Sequence, residues 1–192
     1  MKKITLTCAH AIVKYLIAQK ILIDGKKEPL FPGVFGIFGH GNVACLGQAL
    51  EENQNDLPTY RGHHEQNMAL TGIGYARGKR RQQIFVATSS VGPGATNMVT
   101  AAAVAMSNRL PILLLPGDTY ANRMPDPVLQ QVEHFNNPGI TANDAFKPVT
   151  RYFDRITRPE QIIQSFPKAV QTMLDPACLL YTSDAADDLL CV

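Results

Sequence analysis

No apolar run in this chain of 192 residues reaches the roughly 18 residues that a membrane-spanning helix needs. Charge is scarce too: 18% of residues are charged and the net charge is +2, too little to argue for a nucleic-acid partner. The cysteines Cys8, Cys45, Cys178 and Cys191 show no CxxC spacing, so neither a zinc site nor a disulfide framework is indicated. The opening MKKITLTCAHAIVKYL is interrupted by His10 and Lys14. It is followed by no small-residue cleavage site, so it does not read as a signal peptide. The cytoplasm is the default location. Internal repeats and low-complexity tracts are missing as well.

What remains is a composition of 45% apolar residues on a length suited to one domain with a full core. Leu6, Ala9, Val13 and Leu16 recur at helical spacing and predict an amphipathic first helix. ILIDGKKEPLFPG reads as a turn-rich connection, and GVFGIF (33–38) as a short buried strand broken by GHGN. Asn42 is placed to cap a helix through about Glu52, with Val43, Leu46 and Leu50 inward. LPTYRG is a second strand, QIFVATSS (83–90) a third and LPILLLPGD (110–118) a fourth. Helices are expected between them, from Glu65 and over ATNMVTAAAVAMSN. The alternation of strand, glycine-containing loop and helix implies an α/β fold, a doubly wound parallel sheet covered on both faces. Between Thr119 and Pro148 the pattern weakens; the stretch is expected either to wrap the edge of the sheet or to carry an irregular helix near Pro127 to Phe135. A last helix starts near Pro159 and faces Ile162, Ile163, Phe166, Val170 and Met173 inward. Pro167 should kink or split it.

Several stretches could carry chemistry. GHGNVA (39–44) satisfies a loose GxGxxA dinucleotide fingerprint, but no acid stands at the tip of the next strand, where a nicotinamide cofactor would need one. GPGATN (92–97) permits close backbone approach at Gly92 and Gly94, with Pro93 stiffening the turn. It is no Walker loop, since no Gly-Lys-Ser/Thr follows. His63, His64 and Glu65 are consecutive, so on a helix they point about 100° apart and do not readily converge on one metal ion. Ser89 and Ser90 precede a loop, but nothing marks them as nucleophiles. The basic cluster Arg77, Lys79, Arg80 and Arg81 falls where a helix should end, which suits the macrodipole. Glu65 stands at the head of an apolar helical face made of Met68, Ala69, Gly72, Ile73 and Ala76.

In order along the chain, HEQ, then GYAR after the stretch Asn67 to Ile73, then TSSVGPGATN resemble the pyrimidine-binding domain of thiamine-diphosphate enzymes such as acetolactate synthase. The resemblance runs from about Ile4 to Ala177. Two stretches, VFGIFGHGNVACLGQAL and NRLPILLLPGDTYANRMPDPVLQQVEHF, narrow it to members that open a cyclic 1,2-dione by hydrolysis. A 2-oxo-acid carboligase or decarboxylase is the alternative within the family, and a non-catalytic cofactor-binding or interaction domain the alternative outside it. The resemblance implies that Glu65 hydrogen-bonds N1′ of the cofactor's aminopyrimidine as a buried acid of raised pKa. It implies that Gly39 and His40 line the pyrimidine pocket from one loop, and Pro93 and Asn97 from another. Asp118 stands where relatives often have glutamine and receives no role.

Thiamine diphosphate and Mg2+ are the implied cofactors. No GDG sequence or acid-rich metal loop is present, so residues 1–177 correspond to the pyrimidine-binding domain alone. The magnesium ligands, and a second subunit in a homodimer or homotetramer, would come from the rest of the parent enzyme. The end of the chain, CLLYTSDAADDLLCV (178–192), departs from the apolar strand with which the family continues. It resembles translated adapter read-through and is expected to be non-native; the alternative is a divergent strand, CLLYTS, with a short acidic end.

Overall fold

The computed structural model describes residues 4–119, 130, 132, 134, 136–137 and 139–175. The expected helix near Pro127 to Phe135 and the tail 178–192 lie largely or wholly outside them. Helix α1 (Cys8–Ala18) begins where Thr7 accepts the His10 N–H at 3.2 Å, and it buries Ala9, Val13 and Leu16. Leu6 precedes the cap and is exposed. The turn-rich connection proves to be an antiparallel hairpin, β1 (Lys20–Ile23) with β2 (Lys26–Pro29). Asp24 and Gly25 take φ of 49° and 78°, the pair of positive angles that a two-residue hairpin turn requires.

The main sheet contains β3 (Val34–Gly36), β4 (Thr59–Arg61), β5 (Val86–Ser89) and β6 (Leu113–Pro116) in the spatial order β4-β3-β5-β6, all parallel. Side chains alternate between its faces, as a pleated strand demands. Val34, Val86 and Leu113 join one core with α1, α2 (Gln48–Glu51) and α6 (Ile162–Leu174). Ala87, with Phe35 and Leu114 beside it, joins the other core with α3 (Glu65–Gly78), α4 (Pro93–Thr96) and α5 (Val99–Ser107). Both faces are covered, as the alternation of elements predicts. On α3 the expected inner face is the observed one: Met68, Ala69, Gly72, Ile73 and Ala76 are buried. Gly72 lets the helix approach so closely that a Cβ there would meet Ile112 Cδ1 at 3.1 Å and Phe85 Cβ at 3.2 Å.

Other expectations are corrected. Asn42 does not cap a helix; a π-turn over Val43–Gly47 precedes the short α2, and Val43 is exposed. The alanine-rich helix is two pieces. Asn97 and Met98 have ψ of −22° and −8°, which loosens the ladder, and the Met98 N–H bonds to Ala95 three residues back. α6 runs through Pro167 without splitting. The carbonyl deprived of its partner by that proline belongs to Ile163, which faces solvent at 77% exposure rather than the core.

A 3-10 helix over Ala142–Val149 was not foreseen. Thr141 and Asp144 form its capping box. Arg155 ties this turn to the end of β6: its Nε donates to Asp118 Oδ2 at 2.9 Å and its Nη2 lies 3.2 Å from Asp144 Oδ2. Asp118 is thus held in an ion pair. Burial alone would raise the Asp144 pKa. Lys147, the Thr141 N–H and Arg155 together outweigh it and bring it down to about 2. A depressed carboxylate stabilises the fold above its unfolded pKa, near 4, and loses that contribution as pH falls towards 2. Asp144→Asn should therefore lower the denaturation midpoint at pH 6, with the gap from the unsubstituted chain closing by about pH 2. A gap that stayed constant across that window in denaturant titrations would contradict the assignment.

Candidate functional site

β3 and β5 are neighbours, yet the elements that follow them leave on opposite faces, α2 on one and α4–α5 on the other. Their carboxyl ends therefore open a crevice, the usual ligand position in open α/β sheets. Two loops border it, residues 37–42 after β3 and 90–93 after β5. Asn42 staples them: its Oδ1 accepts the Gly39 N–H and its Nδ2 donates to the Ser89 carbonyl, both at 2.9 Å. The Ile37 N–H adds a bond to the Thr88 carbonyl at 3.2 Å. Gly39 then lies against Ser90, 2.5 Å from where a Gly39 Cβ would stand.

Glu65 enters from the third side as the first residue of α3. Its Oε2 accepts a hydrogen bond from Asn97 Nδ2 at 2.9 Å. Its Oε1 is 3.2 Å from the position of a Cβ on Gly94, which would also strike Ser90 Oγ. Gly92 has φ +68° and ψ −118°, a conformation open essentially to glycine alone. The loop sequence GPG is thus demanded twice, once by backbone angle and once by the space beside the carboxylate. Pro93 opens α4 and is exposed.

The structure brings together Glu65, Asn97 and the glycine loops. His40 is exposed at the crevice rim, and among the described hydrogen bonds none joins it to Glu65 or Asn97. Glu65 is half-buried in this chain, so the full burial expected of it is not provided by these residues alone. Sequence reasoning missed Asn42 as a staple and Ser90 as the floor of the crevice. It also missed Gln130, whose carbonyl oxygen overlies Gly92 and whose Oε1 lies 3.0 Å from a Cβ built on Gly39. The strand-to-helix position of Asn42 suggested a cap equally well, and Gln130 sits in a stretch without periodicity. Among the described residues no group of three or more His, Cys, Asp or Glu could hold a metal ion, and no helix is long and apolar enough to cross a membrane.

Comparison with known proteins bears on the same region. Residues 9–137 match the family described as thiamine pyrophosphate enzyme, N-terminal TPP binding domain. A protein of Clostridium tetani named 3D-(3,5/4)-trihydroxycyclohexane-1,2-dione hydrolase is 52% identical over 177 residues, 92% of this chain. Proteins of the same name from Bacillus subtilis and Listeria monocytogenes are 52% and 51% identical over 176 residues. The chain spans 28% of the length of each of these relatives.

The geometry of the second loop gives a direct test. Gly92→Ala should destabilise the chain by about 1–3 kcal/mol, because alanine is strained at that backbone angle and its Cβ meets the Gln130 carbonyl. Asn97→Ala, at an exposed position, should cost less. Equal thermal midpoints for Gly92→Ala and the unsubstituted chain would show that the loop relaxes freely.

Proposed function

Because the chain belongs to the thiamine pyrophosphate enzymes and contains their N-terminal cofactor-binding domain, we propose that its parent hydrolyses a carbon–carbon bond of a cyclic 1,2-dione. The substrate we infer is 3D-(3,5/4)-trihydroxycyclohexane-1,2-dione, opened to 5-deoxyglucuronate in the breakdown of myo-inositol. The observation that carries this reading is the Glu65–Asn97 pair at the crevice, in a chain sharing 52% identity with hydrolases of that name.

The residues present fit the pyrimidine half of thiamine diphosphate. Gly39, Gly92 and Gly94 let the two loops, Ser90 and Glu65 pack against one another, since a Cβ at each would meet a neighbouring atom of the chain, and this close packing fixes the rim of the pyrimidine pocket. An aminopyrimidine ring nitrogen needs a carboxyl group that can share a proton, and Glu65 presents one. When bound, the cofactor supplies the carbon nucleophile and electron sink that side chains lack.

In this reading Glu65 holds the proton at the ring nitrogen. The Asn97 N–H fixes one carboxyl oxygen, leaving the other free to face the ring. Asn42 keeps the two glycine loops at a constant separation, and Gly39, His40 and Pro93 bound the pocket. Burial of Glu65 would be completed by a second subunit, in a homodimer or homotetramer whose partner contributes the diphosphate-binding domain. The ligands of Mg2+ would belong to that domain. The cytoplasm is the location we assign by default.

Two measurements on the restored full-length enzyme test the reading. Glu65→Gln should preserve the fold and slow exchange of the cofactor's thiazolium C2 proton by about 10²- to 10⁴-fold, the range of a general-base contribution; unchanged exchange with cofactor bound removes Glu65 from the role. Assay with the cyclic dione and with pyruvate separates the substrates. Ring opening is expected, and acetolactate formation without it would transfer the case to a 2-oxo-acid carboligase. By itself the 192-residue chain should bind thiamine diphosphate weakly, since the ligands that anchor the diphosphate and metal would be elsewhere. Micromolar, magnesium-dependent binding in calorimetric titration would contradict that.

A further inference from the structure

Three consecutive hydroxyl side chains, Thr88, Ser89 and Ser90, close β5 and open the loop that follows, and all three are buried. Two of them are engaged by the main chain. Thr88 Oγ1 donates to the Leu115 carbonyl at 2.7 Å, and Ser89 Oγ donates to the Ser90 carbonyl at 3.1 Å. Ser90 is 5% exposed, yet among the described hydrogen bonds its Oγ makes none. A buried hydroxyl without a partner is uncommon, and this one stands on the floor of the crevice.

Its place is fixed by the strand ends around it. The Ser89 carbonyl, one residue back, accepts from Asn42 Nδ2 at 2.9 Å and from the Gly117 N–H at 3.0 Å. Gly39 packs against the Ser90 Cβ, and the Ser90 Oγ lies against Gly94. The position a Gly94 Cβ would take meets that Oγ and is 3.2 Å from Glu65 Oε1. Asn97 occupies Oε2, and among the described hydrogen bonds none reaches Oε1. The unpartnered hydroxyl and the unpartnered carboxyl oxygen therefore flank the same point. Rotation about one side-chain bond redirects a serine hydroxyl without moving the backbone.

We propose that Ser90 is a positioning residue for the proton that Glu65 shares with the cofactor's ring nitrogen, its hydroxyl donating to Glu65 Oε1 while that oxygen faces the ring. The inference rests on the reading of Glu65 given above. A carboxylate oxygen has two lone pairs, so Oε1 can accept from Ser90 and meet the ring nitrogen together. With Asn97 donating to Oε2 and Ser90 to Oε1, the charged form of the carboxyl group is stabilised. This offsets the burial that a second subunit would add, which favours the neutral acid. The shared proton is thereby displaced from Oε1 towards the ring nitrogen. One proton moves between two atoms, and no further reactant is needed. Ser90 acts through Glu65.

The test uses the restored full-length enzyme loaded with thiamine diphosphate and Mg2+. Ser90→Ala removes a single oxygen atom, so the thermal midpoint should hold. Exchange of the thiazolium C2 proton should slow by about tenfold, the effect of one hydrogen bond to a charged group. In the Glu65→Gln background the same substitution should change exchange by less than about twofold, because the group it acts through is gone. A readout free of turnover is the Glu65 carboxyl carbon-13 resonance of the loaded enzyme without substrate, which Ser90→Ala should shift. Unchanged exchange or an unmoved resonance in Ser90→Ala overturns the proposal, and leaves the Glu65 reading in place if Glu65→Gln still slows exchange. Equal slowing by Ser90→Ala in both backgrounds overturns it as well, since the effect then bypasses Glu65. Unchanged exchange in Glu65→Gln removes the reading itself and the inference with it.

Discussion

The divergence of the chain after β3 and β5 is the constraint on which the site depends. Two adjacent parallel strands end together, and the chain that follows each turns to a different face of the sheet. Asn42 fixes the width of the crevice this leaves by bonding one loop and the end of the other strand at 2.9 Å each. Glycine at 39, 92 and 94 lets the surrounding groups close in on the loops, because a methyl group at any of them would meet atoms already there. Remove the staple or add the methyl groups, and the carboxylate of Glu65 faces a crevice of another shape.

Glu65 is placed by packing some distance from its own carboxyl group. The small inner residues Ala69, Gly72 and Ala76 let α3 lie close to the sheet, which brings the first residue of the helix to the end of β5. Asn97 reaches it because the alanine-rich helix breaks at 97–98, turning that side chain towards the crevice. A continuous helix would keep a different register. The site in this chain is nevertheless open: Glu65 is half-buried, and Pro93, Asn97 and His40 are exposed. That openness agrees with the proposal that another subunit closes over it.

Much of this was legible in the sequence. The α3 face was readable residue by residue because its 3.6-residue period is set by burial on one side. The parallel sheet followed from four apolar runs separated by glycine loops and helices. At Asp24-Gly25 only the turn was legible, from a dipeptide whose backbone preference is strong; the flanking lysines masked the two strands of the hairpin. The split at Asn97–Met98, the outward turn of Ile163 and the π-turn after Asn42 were not readable. Each arises when a tertiary contact overrides local preference, as with an amide drawn to a carboxylate or a proline shifting which side faces water. The Arg155 ion pairs with Asp118 and Asp144 join residues 37 and 11 positions apart, and no local pattern announces them.

The account turns on Glu65 being the carboxyl group that meets the cofactor's aminopyrimidine. Carbon-13 NMR of the full-length parent, labelled at glutamate carboxyls, addresses this directly. Adding thiamine diphosphate and Mg2+ should move one glutamate resonance strongly, and that resonance should vanish in Glu65→Gln while the rest of the spectrum stays in place. A cofactor-dependent shift that survives the substitution would contradict the account, as would tight binding that leaves the Glu65 resonance unmoved.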